Sequence, residues 1–242
     1  MQHTLLTLVT DMLGAIDAEG ATSVTDTEES AMCVAIANRA YEAIIYKAKW
    51  KHLKQYANLV ASDANNKLQG PSNTIHLDTK TVYYNGDRVS YMYPEDFIAM
   101  TQSRVIGTNV SLIGGVKCVT NQYPKCFTSF DDSTLVFDST PTTSALTASD
   151  SNALVWVGPS SRISSDAQVF DMPAPAYPII EDWAIGLAIT ELKGDATAGA
   201  SYIAEAKHKL ATMTQKGDLI EKNPDILRNI ITRKSTINRR VN

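Results

Sequence analysis

Leu5-Leu6-Thr7-Leu8-Val9-Thr10-Asp11-Met12-Leu13-Gly14-Ala15-Ile16 opens the chain, and Ser23-Val24-Thr25-Asp26-Thr27-Glu28-Glu29-Ser30-Ala31 follows after a short turn. In the first stretch Leu5, Leu6, Val9, Met12, Leu13 and Ile16 recur at spacings of three and four. That period places them on one face of a helix over roughly residues 3–16. In the second, Thr25 stands three residues before Glu28. The spacing predicts a capping box, in which hydroxyl and carboxylate satisfy free backbone amides. The helix it starts carries a stripe of Met32, Ile36, Arg39/Ala40 and Ala43/Ile44 to about Lys49.

Working outward, the pattern changes at Trp50 and stays changed to about Pro175. Short β-branched and aromatic runs alternate with Ser, Thr, Asn, Asp, Gly and Pro. Tyr83-Tyr84-Asn85-Gly86-Asp87-Arg88 predicts a hairpin, because Asn-Gly tolerates positive φ at both turn positions. Pro94-Glu95-Asp96 predicts a helix start. Further strands are expected near 116–120, 125–130, 134–138 and 153–157. The Ser/Thr/Ala-rich stretch 139–152 reads as an exposed loop or hairpin tip with little to bury. Helical spacing returns at 179–193 and 197–215, and Asn223-Pro224 predicts a last short helix through Ile231.

The expected fold class is α+β. Four helices, two from each end, have one apolar face each and are too short to stand alone. They are expected to form one bundle, with an antiparallel β-rich domain inserted and an extended C-terminal arm. The expected boundaries are 1–49 and 176–222 for the bundle, 50–175 for the insertion and 223–242 for the arm.

Composition excludes little. The 242 residues carry 22 basic and 26 acidic side chains, a net charge of −4. So mild a balance does not mark the whole chain for nucleic acid or membrane. No apolar run approaches the roughly 18 residues of a membrane span, and the start lacks the basic region of a secretory signal. Cys33, Cys118 and Cys126 are an odd count in no metal spacing and read as reduced thiols. Charge is unevenly placed. Residues 1–38 hold six acids and no Lys or Arg, while 228–242 hold five bases and no acid. Such runs are either solvated faces or surfaces for different partners.

Catalytic motifs are sparse. No nucleophile elbow, phosphate loop, dinucleotide fingerprint or zinc-protease motif occurs. His3, His52, His76 and His208 are widely scattered. Glu95 and Asp96 are adjacent, so on a helix they diverge by about 100° and suit a helix start better than an acid/base pair. The aromatic group Tyr83, Tyr84, Tyr91, Tyr93 and Phe97 lacks the interleaved bases of a nucleotide platform and reads as core and edge packing. The expectation is a protein that is not an enzyme and needs no cofactor.

The two opening stretches resemble the start of the bacteriophage head-to-tail adaptor (connector) proteins of the tail tubular protein A type. Asn38-Arg39-Ala40-Tyr41 before Trp50, and Tyr91-Met92-Tyr93-Pro94-Glu95-Asp96-Phe97, are similar to later elements of that family, as are Ala184-Ile185-Gly186-Leu187-Ala188 and Ala204-Glu205-Ala206-Lys207. The likeness covers about 110 residues and leaves 100–170 unmatched. It implies a structural virion subunit at the head–tail junction, made in the host bacterial cytoplasm. Its partners would be further copies in a ring of usually twelve, the portal protein, the next tail (nozzle or tube) protein and, where they attach, tail fibres. Genomic DNA would pass through the channel without sequence-specific binding. On this reading the basic arm docks on the portal through Arg228, Ile230, Ile231, Arg233, Lys234, Ile237, Arg239 and Arg240. The alternatives are a monomeric nucleic-acid-binding module using the same basic C-terminus, and a phage wall hydrolase.

Overall fold

A computed structural model describes residues 3–131, 133–141 and 145–221. The fold is mixed α+β. Two compact units divide the chain: one from the described residues of Met1–His52 and Ser161–Asn242, the other from those of Leu53–Ser160.

The first unit holds α1 (Leu5–Ala15) and α2 (Glu28–Ile45). Thr4 caps α1 by accepting the Thr7 amide. Leu5, Val9, Met12 and Leu13 are buried as expected; Leu8 joins them, while Leu6 and Ile16 are only half-buried. The cap of α2 lies two residues later than expected. Thr27 and Ser30 form the capping box. Asp26 is committed elsewhere, since its Oδ2 accepts the Thr22 and Ser23 amides at 2.7 Å each. The buried face of α2 also differs. It runs through Cys33, Ile36, Ala37, Ala40, Tyr41 and Ile44, and Met32 is exposed. At about 100° per residue Met32 lies roughly 120° from the centre of that face.

The segment 161–175, expected with the β-rich insertion, instead lies along the helices. Asn38 brackets it: Nδ2 donates to Ile163 O at 2.9 Å and Oδ1 accepts the Ile163 amide at 3.0 Å. The Leu5 amide donates to Gln168 O at 2.7 Å, and the Tyr41 hydroxyl to Asp171 O at 3.0 Å. A stretch held by single hydrogen bonds has no periodicity to read.

The second unit begins at Leu53, and among its described residues it contributes one α-helix, α3 (Pro94–Gln102). The first unit then resumes with α4 (Tyr177–Ala188) and α5 (Ala196–Lys216). α1, α2 and α5 all pack against α4. α4 is therefore buried well beyond one stripe, through Ile179, Ile180, Trp183, Ala184, Ile185, Gly186 and Ala188. Lys47 and Lys207 place their ammonium groups 4.3 and 5.8 Å from the Trp183 ring centre, a favourable site for cations over the indole quadrupole. α4 runs into a π-helical turn, Ile189–Lys193, and stops at Gly194 with φ 76°. Asp195 caps α5 by accepting the Ala198 amide at 2.9 Å. Trp50 bridges to Ile220, so the described ends of this unit are joined.

The second unit is built of short strands in three sheets. The first sheet joins β1 (Lys54–Asn58), β4 (Thr74–Leu77), β5 (Tyr83–Tyr84), β6 (Asp87–Arg88) and β13 (Ser151–Val157). The second runs β2 (Val60–Ala61), β3 (Lys67–Gln69), β11 (Thr134–Phe137), β10 (Cys126–Ser129), β7 (Ser90–Tyr91). The third runs β12 (Ser139–Thr140), β9 (Val116–Thr120), β8 (Val110–Ile113). Asn85 and Gly86 turn the β5–β6 hairpin at φ 51° and 85°. Pairing is antiparallel except between β7 and β10 and between β9 and β12. One core gathers Leu59, Leu68, Val82, Tyr84, Phe127, Phe137 and Val155. Another gathers Phe97, Val116, Cys118, Cys126 and Val136.

The stretch 139–152 is not the exposed tip its composition suggested. Ser139, Thr140, Leu146 and Ser151 are buried. The Leu146 amide donates to Asn65 O at 2.8 Å, and the Thr147 amide to the Tyr84 hydroxyl at 2.9 Å. Hydroxyls are tolerated here because Ser139 Oγ and Ser151 Oγ find carbonyl partners, Tyr123 O and Ala148 O.

Candidate assembly surface

The site residues expected on the arm, Arg228, Ile230, Ile231, Arg233, Lys234, Ile237, Arg239 and Arg240, lie outside the described residues, as does the helix expected from Asn223-Pro224. The arm's point of departure is described. Ile220 is buried against Trp50, and the Glu221 amide donates to Lys49 O at 2.9 Å.

No cluster of catalytic groups stands out. Among the described residues no group of three or more His, Cys, Asp or Glu could hold a metal ion. The histidines do not converge: His3 stacks on Tyr177, His52 Nε2 bonds Asp171 O, His76 lies edge-on to Trp156, and His208 is exposed on α5. Burial raises the thiols of Cys33 and Cys118 to about 11 and that of Cys126 to about 12. Thiols so shifted are poor nucleophiles near neutrality. Glu95 and Asp96 stand exposed in the first turn of α3, at its positive dipole end. No described helix is long and apolar enough to cross a membrane.

The surface feature that does stand out surrounds the two ends of α3. Phe97 anchors the helix in the core, and Ile98 on the next position is 47% exposed. Beyond the helix the chain is tied down by Arg104. Its Nη1 donates to Lys117 O at 3.0 Å and Asp138 O at 2.7 Å, and its Nη2 to Asp138 Oδ2 at 2.9 Å. Asp138 Oδ1 in turn accepts the amides of Lys125 and Cys126 at 3.1 and 3.2 Å. Lys117 Nζ donates to Gln102 O at 2.8 Å. Both members of the Arg104–Asp138 pair are mostly buried, and between them they hold the Lys117 and Asp138 carbonyls and the Lys125 and Cys126 amides.

That anchored segment displays apolar side chains outward. Val105 is 85% exposed, Ile106 56% and Leu112 62%. From Val105 to Val116 the sequence carries no charged residue. At the other end of α3, Tyr91 and Tyr93 stack edge to face at 5.7 Å, with Tyr93 69% exposed. Of the aromatic group, Tyr84 and Phe97 are core residues, Tyr93 faces outward, and Tyr91 lies at the boundary, 36% exposed with its ring edge-on to core Phe127 at 5.6 Å. Grouped apolar exposure of this kind marks surfaces that meet another macromolecule. Hydrophobic spacing alone missed it. An uncharged twelve-residue run in a chain of this charge was the available signal. No protein-family model matches the chain, and no curated protein matches it.

Proposed function

We propose that this protein is a structural virion subunit that assembles into a ring adaptor between a phage portal and the tail. The observation that supports the reading is the exposure of Val105, Ile106 and Leu112 within the uncharged run 105–116, which leaves a turn tied down by the buried Arg104–Asp138 pair. A side-chain set devoted to fixing apolar groups in solvent suits assembly, where burial between neighbours supplies the free energy. On this proposal α1, α2, α4 and α5 act as one bundle. The ring, of about twelve copies, lines the DNA channel and offers a platform to tail proteins or fibres without catalysis or cofactor. The arm 223–242 reaches the portal, with Ile230, Ile231 and Ile237 seated apolar-side down and Arg228, Arg233, Lys234, Arg239 and Arg240 steering it to an acidic partner.

Light scattering after size exclusion tests the reading, alone and with portal. Twelve copies of a 26.4 kDa chain give roughly 320 kDa. A species that stays near 26 kDa under both conditions sinks the adaptor reading, and DNA retention by that monomer would favour the nucleic-acid module. For the arm, Ile230→Ser with Ile237→Ser should abolish portal capture, and Arg239→Gln with Arg240→Gln should weaken it in a salt-dependent way. Normal capture by a chain truncated after Lys222 would remove the arm from the proposal.

A further inference from the structure

We infer that a second copy of this chain occupies the β8 edge, and that it does so head to tail: the apolar edge at Leu112 of one copy receives the Tyr91–Tyr93 pair of the next. The inference rests on the assembly reading above and names the surfaces it would use.

The backbone makes β8 receptive. β8 is the edge of its sheet. The Val110 amide and carbonyl turn away from β9 and bond Gly107 at 3.3 and 3.1 Å. Strand alternation puts the amide and carbonyl of Leu112 on that same outer side, next along the edge. An open edge with an exposed leucine is a template for further pairing unless it is blocked by charge, proline or cover. Gly107 covers the edge at Val110, and at Leu112 neither charge nor proline guards it, since 105–116 contains neither. β7, bearing Tyr91, is likewise the edge of its own sheet. The Ser90 and Met92 amides face β10, donating to Lys125 O and Phe127 O, so the backbone polar groups of Tyr91 face outward.

Charge selects the occupant and the pairing. A chain of net −4 repels its own copies except where uncharged surfaces meet. Val89–Pro94 and Val105–Val116 are two such surfaces on one unit. They sit at opposite ends of α3, whose nine residues span about 13 Å. Their rims differ in sign. Lys117 stands across the pair from Leu112. The exposed acids Glu95 and Asp96 follow the tyrosines, with Lys125 flanking the far end of β7. Head-to-tail contact sets Lys117 against Glu95 and Asp96. Like-with-like contact of two Leu112 edges would set Lys117 against Lys117, which is unfavourable. The aromatic side chains supply rigid anchors, and the aliphatic edge supplies the surface they cover. A contact between unlike patches propagates to a ring when its rotation closes.

The test uses full-length chain and two surface variants, Leu112→Lys and Tyr91→Lys with Tyr93→Lys, each checked for native circular dichroism and melting. Wild type should assemble beyond a dimer as concentration rises to about 200 µM. Each variant alone should self-associate at least tenfold more weakly. Mixed one to one, they should form a heterodimer that grows no further, because each retains one intact surface. If neither variant alters wild-type assembly, the inference fails while the assembly reading stands. If wild type itself stays monomeric, the inference fails, and the assembly reading is decided by the measurement with portal. Dimers formed by either variant alone would show a like-with-like contact and overturn the head-to-tail assignment.

Discussion

Gly199→Ala tests the closest approach in the helical unit. Gly199 lies on α5 against α4. A Cβ built there would stand 2.5 Å from Gly186 O and also strike Thr190 Oγ1. The reciprocal Cβ on Gly186 would stand 2.8 Å from Gly199 O. The obstacle is mainly backbone, so it cannot rotate away as a side chain could. The Thr190 hydroxyl is also engaged, donating to Gly186 O at 2.8 Å. Restoring an ordinary contact distance requires the helices to part by roughly 1 Å, a gap that forfeits up to about half of each dispersion well along the seam. Overpacking of this kind costs about 3 kcal/mol at its upper end. Alanine returns about 1 kcal/mol of helix propensity. The net expectation is a loss of about 2 kcal/mol, or a melting temperature lower by about 8 °C for a unit of this size. Gly14→Ala is the control of opposite sign. That glycine is exposed near the end of α1 with nothing near its Cβ direction, so alanine should stabilise by about 0.5 kcal/mol. Circular dichroism melts of both variants decide the matter. Thr190→Ala in the Gly199→Ala background should recover part of the loss, leaving the Gly186 O contact. A Gly199→Ala protein that melts at or above wild type would refute the packing argument.

Asp138→Ala should cost about 3–5 kcal/mol, because it strands a mostly buried arginine and two amides; a denaturant midpoint within error of wild type would contradict that role. The thiols of Cys33, Cys118 and Cys126, raised to about 11 to 12 by burial, leave on the order of one thiolate in a thousand or fewer at pH 8, so a thiol reagent should titrate them only as the protein unfolds. The Thr134 and Ser133 amides hold the Asp131 carboxyl down to about 2 from 3.8. Its contribution to stability is therefore complete above about pH 4 and lost as pH falls toward 2, and Asp131→Asn should flatten the acid limb of the stability curve within that window. Replacing residues 141–147 by a Gly-Ser linker should lower the melting temperature, through loss of buried Leu146 and the Thr147–Tyr84 bond; an unchanged melt would return that stretch to the status of a dispensable loop.

Much of the fold was legible where one force dominated. α1 and α5 read correctly because their burial repeats at helical spacing, and the β5–β6 turn because Asn85-Gly86 alone supplies two positive φ values. Errors arose where two local choices competed. Thr25 and Thr27 both offer a cap, and the decision belongs to Asp26, whose carboxylate is occupied by the turn before it. Met32 shares a row with Ile36 and Ala40, but the face it borders is set by what α2 packs against. β1, β3 and β4 were missed because three to five residues of mixed polarity carry no period, and long-range pairing decides them. The Ser/Thr-rich 139–152 stretch misled for a related reason: hydroxyls read as solvent-loving until a carbonyl partner is present.

The candidate surface was illegible for a different reason. Periodicity reports what is buried, and it cannot say that an apolar residue stays outside. Val105, Ile106 and Leu112 are as hydrophobic as their buried neighbours Val116 and Phe97, and only the fold separates them. What separates them is Arg104. Its guanidinium binds the carbonyls of Lys117 and Asp138 together with the Asp138 carboxylate, and so fixes where the chain turns after α3. An ion pair mostly removed from water is costly to build and adds little net stability over an apolar replacement. Its use here is positional. It fixes the backbone where Val105 and Ile106 stand in solvent, and on the proposed assembly a neighbouring copy would bury them.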